Sequence, residues 1–134
     1  MQLPPALRDE IVAHALRDAP TECCGMVAVR DDVVEAVHPI TNAKPSPFFF
    51  MMDATEQLRA INAIEDSGAT FASYHSHTRS APEPSQTDIN LAKDWPGMTW
   101  LIVATGKPDP ELRGWLIEHH DALRGAKVTE VELT

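Results

Sequence analysis

Apolar and polar residues change period along the chain, from helical spacing to alternation and back, and those changes mark the elements. Pro4 and Pro5 suit a helix start, and Leu7, Ile11, Ala15 and Leu16 give the helix one apolar face until Pro20 closes it. From Cys24, "CGMVAVRDDVVEAVHPI" holds two β-rich runs around Asp31-Asp32, which predicts a hairpin whose turn lacks the usual glycine. "FFFMM", Phe48 to Met52, is an apolar run too short for a helix and is read as a strand. Asp53 with Glu56 has the spacing of an N-cap and its N3 partner, and the helix it starts should stop at Ser67-Gly68.

Beyond Gly68, "ATFASYHSH" alternates as a strand does, while "MTWLIVAT" is a continuous apolar run of the kind found in buried central strands. Between them "SQTDINLAKDWP" predicts a short helix. "LRGWLIEHH" and "KVTEVEL" predict two further strands, the second at a sheet edge. The order α-β-β-β-α-β-α-β-β-β describes a mixed sheet with helices against it, in the α/β or α+β class. The chain carries no repeat, low-complexity tract or linker, so one domain is expected over residues 1–134.

Composition narrows the classes of function. A hydrophobic fraction of 43% and a charged fraction of 23% are those of a globular protein, with no run near the ~18 apolar residues a membrane span needs. "MQLPPALRDEIVAHALRD" has charges through its apolar pattern and no signal-peptide core, which points to the cytoplasm. A net charge of -9 argues against nucleic acid, whose affinity comes from Lys and Arg on phosphates. Cys23 and Cys24 are adjacent and cannot form an ordinary disulfide, which suits a reducing compartment; one of them is expected in the core.

Chemistry concentrates in "SYHSHTRSAPEPSQTD", Ser73 to Asp88. On a strand, residues i and i+2 share a face about 6.5 to 7 Å apart, so His75 and His77 present their imidazoles together and Ser76 points the other way. Two imidazoles can ligate one zinc at about 2.0 to 2.1 Å, and a catalytic site needs a third protein ligand with a fourth position left for water. Asp88, at the end of an eleven-residue excursion, is a candidate third ligand. The same residues have a structural reading: Ser85-x-x-Asp88 is a capping-box pattern, and His-x-His can be a surface pair. Glu22, at the entrance to the first hairpin strand, is either a carboxylate over a neighbouring strand end or a solvated loop residue.

Taken together, Glu22, His75-Ser76-His77, then seven residues, Ser85, two residues and Asp88 resemble the full signature of the JAMM (MPN-plus) zinc metalloproteases. The resemblance spans nearly the whole chain and extends to the Glu-x-Cys-Gly context and the apolar strand before the histidines. It implies a cytidine-deaminase-like α/β/α fold around a curved mixed sheet, and one Zn²⁺ per chain held by His75, His77 and Asp88. It also implies that Glu22 contacts the water that the metal activates and that Ser85 stabilises the oxyanion. By chemistry alone, a nearby carboxylate can pass the water's proton to a leaving amine, and a hydroxyl can meet the developing negative charge.

The family's typical substrates end in a ubiquitin-like Gly-Gly tail joined to an amine. This chain has no room for the insertions with which eukaryotic members grip ubiquitin. It most resembles the short bacterial peptidases that release cysteine from the C-terminus of a small ubiquitin-like sulfur-carrier protein. A broader isopeptidase acting on protein conjugates and a metal-free scaffold are the competing readings. A nucleoside deaminase is disfavoured, because its His-x-Glu and Pro-Cys-x-x-Cys are absent, and a glycine-rich cupin by the three helix signals. His14 and His38 stand alone, and His119 and His120 face opposite ways and are expected at the surface. Trp95, Trp100 and Trp115 are expected in the core, with one free to line a groove.

Overall fold

A computed structural model describes residues 1–120 and 125–134. The elements in chain order are α1 (Pro5–Asp18), β1 (Cys24–Arg30), β2 (Val33–Ile40), α2 (Ala54–Asp66), β3 (Thr70–His77), α3 (Gln86–Leu91) with a 3₁₀ turn over Ala92–Asp94, β4 (Thr99–Ala104), β5 (Glu111–His119) and β6 (Ala126–Val131). The six strands form one sheet in the order β2-β1-β3-β4-β5-β6, antiparallel everywhere except between β3 and β4. A parallel pair needs a crossover connection. The segment carrying α3 provides it, and β6 lies at an edge as expected.

Alternation along the strands divides the interior into two cores, one on each face of the sheet. Ile11 and Ala15 of α1 pack with Val27, Ala72, Tyr74, Leu101 and Val103. Ala60 and Ile64 of α2 pack on the opposite face with Met26, Trp100, Ile102, Trp115 and Ile117, and Ile89 of α3 lies against that cluster. The result is the mixed α/β sheet with helices on both faces that the element order predicts.

Local signals act as read. Asp53 accepts a hydrogen bond from the Glu56 N–H at 2.9 Å, and Gly68 after α2 has φ +85°. Asp31 and Asp32 turn the first hairpin with φ of 50° and 63°, a pair of left-handed residues that aspartate tolerates better than most.

Three expectations need correction. Phe48–Met52 is not a strand: Met52 makes only an isolated bridge with Asn42, and Phe48, Phe49 and Met51 are exposed while Phe50 turns inward. The run pairs locally with the loop after β2 instead of with the sheet: the Met51 N–H donates to Asn42 Oδ1 at 3.0 Å and the Met51 carbonyl accepts from the Ala43 N–H at 2.7 Å, so its backbone groups are satisfied without a strand partner. Both cysteines are buried, since adjacent residues at the start of β1 point into opposite cores. In α1 the buried stripe is Ile11, His14 and Ala15, and Leu16, 100° further round the helix, is 52% exposed.

Candidate metal centre

His75 and His77 flank Ser76 in the last three residues of β3, at the carboxyl end of the parallel β3–β4 pair. Ligands gather at such ends, because the chain leaves the sheet there and returns over it. The return is the loop to Ser85, which caps α3 by accepting from the Asp88 N–H at 3.1 Å. The Ser85 N–H in turn donates to Asp88 Oδ2 at 2.9 Å. The capping box is therefore real, and it aims Asp88 at the histidines: Oδ2 lies 3.1 Å from both His75 Nε2 and His77 Nε2.

The two Nε2 atoms are 3.2 Å apart, so three donor atoms from buried residues form a nearly equilateral triangle. Tetrahedral zinc with ligands at about 2.0 to 2.1 Å separates its donors by about 3.3 to 3.4 Å, close to these spacings. Hydrogen bonding alone explains the triangle poorly. His77 Nδ1 lies 2.8 Å from the Ala81 carbonyl, which only accepts, so in the neutral ring the proton is on Nδ1 and Nε2 offers a lone pair. The donor set suits zinc, and the Ala81 carbonyl orients one ligand as outer partners of metal-bound histidines do. Phe50 stacks on the His75 ring at 4.5 Å and Trp100 meets it edge-on at 5.9 Å, so His75 is fixed by packing.

Electrostatics at the centre favour a cation. Burial opposes protonation of His77, but Asp88, the Ala81 carbonyl and Glu22 outweigh it and raise its pKa. Burial alone would raise the Asp88 pKa, yet the facing imidazoles and the Ser85 N–H hold it well below the usual carboxylate range. Groups that draw a proton into this space draw a metal ion for the same reason.

Glu22 is 4% exposed, which removes the solvated-loop reading. Its N–H donates to the Ser46 carbonyl at 2.9 Å and its carbonyl accepts from Asn42 Nδ2 at 3.0 Å. Burial pushes its carboxyl up to about 7, with His77 pulling down and Asp88 pushing up. That value suits a group that takes and returns a proton near neutrality. Ser85 is exposed, and its hydroxyl oxygen is occupied by the cap while its proton is free to donate.

The fold thus gathers His75, His77, Asp88 and Ser85, with Glu22 close enough to influence two of them electrostatically. Sequence reasoning missed Phe50 and Asn42. The continuous apolar run Phe48 to Met52 does not single out Phe50, and nothing local marks Asn42. His119 also departs from expectation: it is half-buried, with Nε2 donating to the Ile89 carbonyl of α3. Trp100 and Trp115 are buried as expected, while Trp95 joins Phe50, Met51, Met98 and Trp100 around a cavity of about 190 Å³.

Residues 4–118 match the family described as prokaryotic homologs of the JAB domain. The CysO-cysteine peptidase of Mycobacterium tuberculosis is 41% identical over 115 residues, covering 83% of this chain and 78% of that protein. The desampylase of Haloferax volcanii is 39% identical over 103 residues, covering 71% and 73%. The crystal structure of a JAB1/MPN domain protein from Archaeoglobus fulgidus superposes with a TM-score of 0.60 at 17% identity, covering 100% of this chain and 96% of that one, and so shares the fold. The chain belongs to the prokaryotic JAB-domain family and is a peptidase of the JAMM type.

Proposed function

We propose that this peptidase uses one zinc ion per chain to cleave after the C-terminal Gly-Gly of a small ubiquitin-like sulfur-carrier protein, releasing cysteine. The observation that carries the metal-dependent reading is the triangle of His75 Nε2, His77 Nε2 and Asp88 Oδ2, with 3.1 to 3.2 Å sides. The carrier and the released cysteine are supported by similarity to the CysO-cysteine peptidase. We take the 134 residues as one catalytic domain working in the cytoplasm, where the free Cys23 and Cys24 are at home. Among the described residues no helix is long and apolar enough to cross a membrane.

His75, His77 and Asp88 would hold the zinc, which when bound would act as a Lewis acid and lower the pKa of a water to about 7. Glu22 accepts the proton of the attacking water and delivers it to the leaving amine as the C–N bond breaks; burial keeps the carboxyl near the pKa this exchange needs. The Ser85 hydroxyl donates to the oxygen that gains charge as the carbonyl becomes tetrahedral. The cap fixes that hydroxyl beside Asp88.

A second reading, a broader protease that removes ubiquitin-like proteins from conjugates, is favoured by similarity to the desampylase. A non-catalytic scaffold is disfavoured, since all five motif residues are present. Incubating the zinc-loaded protein with Gly-Gly carriers extended by cysteine, by other amino acids or by a Lys-linked peptide, and reading masses, separates these readings. Release of cysteine in preference to the rest is expected. Preferential cleavage of the Lys linkage would replace this reading with the second, and no cleavage of any carrier would overturn both.

A further inference from the structure

Asp88 reaches the histidines from a short segment that its own local bonds do not tie to the sheet. Ser85 and Asp88 bond each other, and α3 is six residues long. What ties this segment down is one face of β5. Arg113, Trp115, Ile117 and His119 alternate onto the same side of that strand. Ile117 and the Trp115 ring belong to the core, and Arg113, the Trp115 N–H and His119 reach the segment that carries Asp88.

The contacts bracket Ser85 and Asp88 on both sides. Upstream, Trp115 Nε1–H donates to the Pro82 carbonyl at 2.7 Å, and Arg113 Nη1 donates to the Glu83 carboxylate at 3.1 Å. Downstream, His119 Nε2 donates to the Ile89 carbonyl, one residue past Asp88. Arg113 is itself held, its guanidinium 4.8 Å over the Trp115 ring and bidentate to Glu130 of β6 with both bonds at 2.8 Å. Pro82 also follows Ala81, whose carbonyl orients His77. Displacing Pro82 would therefore disturb two of the three donor residues together.

We propose that Trp115 and His119, braced by Arg113, are positioning residues for the metal centre that set Asp88 and the Ala81 carbonyl against the histidines. This rests on the reading of His75, His77 and Asp88 as the ligand triad. The contacts differ in weight. Trp115 is 8% exposed, so losing its N–H would leave a buried carbonyl unmatched, whereas the Arg113–Glu83 pair is exposed and of the kind worth little by itself.

The test is the zinc dissociation constant of the full chain, measured by chelator competition, with metal-free stability followed alongside. Trp115→Phe keeps an aromatic ring and removes the donor; it should weaken zinc binding about tenfold, the lower end for outer partners of metal ligands. His119→Leu should weaken it by a smaller factor, and His119→Gln, which keeps a donor, should restore it. The His119 pair carries the test if Trp115→Phe does not fold. Variants that lose metal-free stability while keeping the parent's zinc affinity would make the clamp purely structural and overturn the proposal. A parent that binds no zinc would remove the ligand reading, and this inference with it.

Discussion

Ser76 stands between the two histidines, and its Oγ accepts a hydrogen bond from the Cys23 N–H at 2.8 Å on the opposite face of the sheet. Its own N–H donates to the Cys23 carbonyl at 3.1 Å. The residue that separates His75 from His77 is therefore doubly bonded to the residue that follows Glu22. Ser76→Ala would leave a buried N–H unmatched, at a cost of about 1 to 3 kcal/mol. We expect a loss of that size in denaturant unfolding and a lower turnover at full zinc occupancy, with Ser76→Thr recovering both. Unchanged stability in Ser76→Ala would show that the bond does not hold this junction.

His77→Ala should remove zinc and activity together. It deletes one of three donors and also the Nδ1–H that holds the Ala81 carbonyl. Metal analysis after zinc reconstitution checks this, and a variant with one equivalent bound would exclude His77 as a ligand.

Glu22→Gln should behave differently, keeping zinc while turnover falls about 10²- to 10⁴-fold, the usual worth of a positioned general acid-base. The amide has nearly the same size and cannot take the proton. A variant without zinc would make Glu22 a ligand, and one with near-normal turnover would leave it no part in the chemistry.

The raised pKa of Glu22 also has a consequence for stability in the metal-free protein. With the folded value at about 7 and the ordinary one at 4.5, the folded state binds the extra proton between them. The Glu22 contribution is fully present below about pH 4.5 and is lost as pH rises through 7, at about 1.4 kcal/mol per unit of pKa difference. Urea unfolding across that window should show a shallower decline in Glu22→Gln than in the parent. Parallel curves would mean that the carboxyl is not held above its ordinary range.

Gly25 lies opposite Tyr74 between β1 and β3, and a Cβ on it would fall 2.2 Å from the ring. The ring cannot easily withdraw, because Tyr74 is fully buried and its hydroxyl sits 2.7 Å from His14 Nδ1. Gly25→Ala should therefore destabilise the protein by about 1 to 3 kcal/mol, as overpacking does. A thermal midpoint equal to the parent's would show that β1 and β3 separate at no cost.

Three helices, six strands and the pairing of His75 with His77 and of Ser85 with Asp88 were legible in the sequence because short-range rules announce them, whereas Glu22 entered only through the resemblance of the whole signature. Alternation places His75 beside His77, and a three-residue spacing caps α3 with Ser85 and Asp88. Such rules act within one element and are blind to what covers it. Only the tertiary structure decided that Glu22 is buried, that Phe48–Met52 leaves the sheet to put Phe50 on His75, and that His119 meets α3. The same loop glutamate would be solvated and acidic under water. It becomes a group titrating near 7 because Ser46 and Asn42 fix its backbone beside His77 and Asp88, and burial then works against its charge.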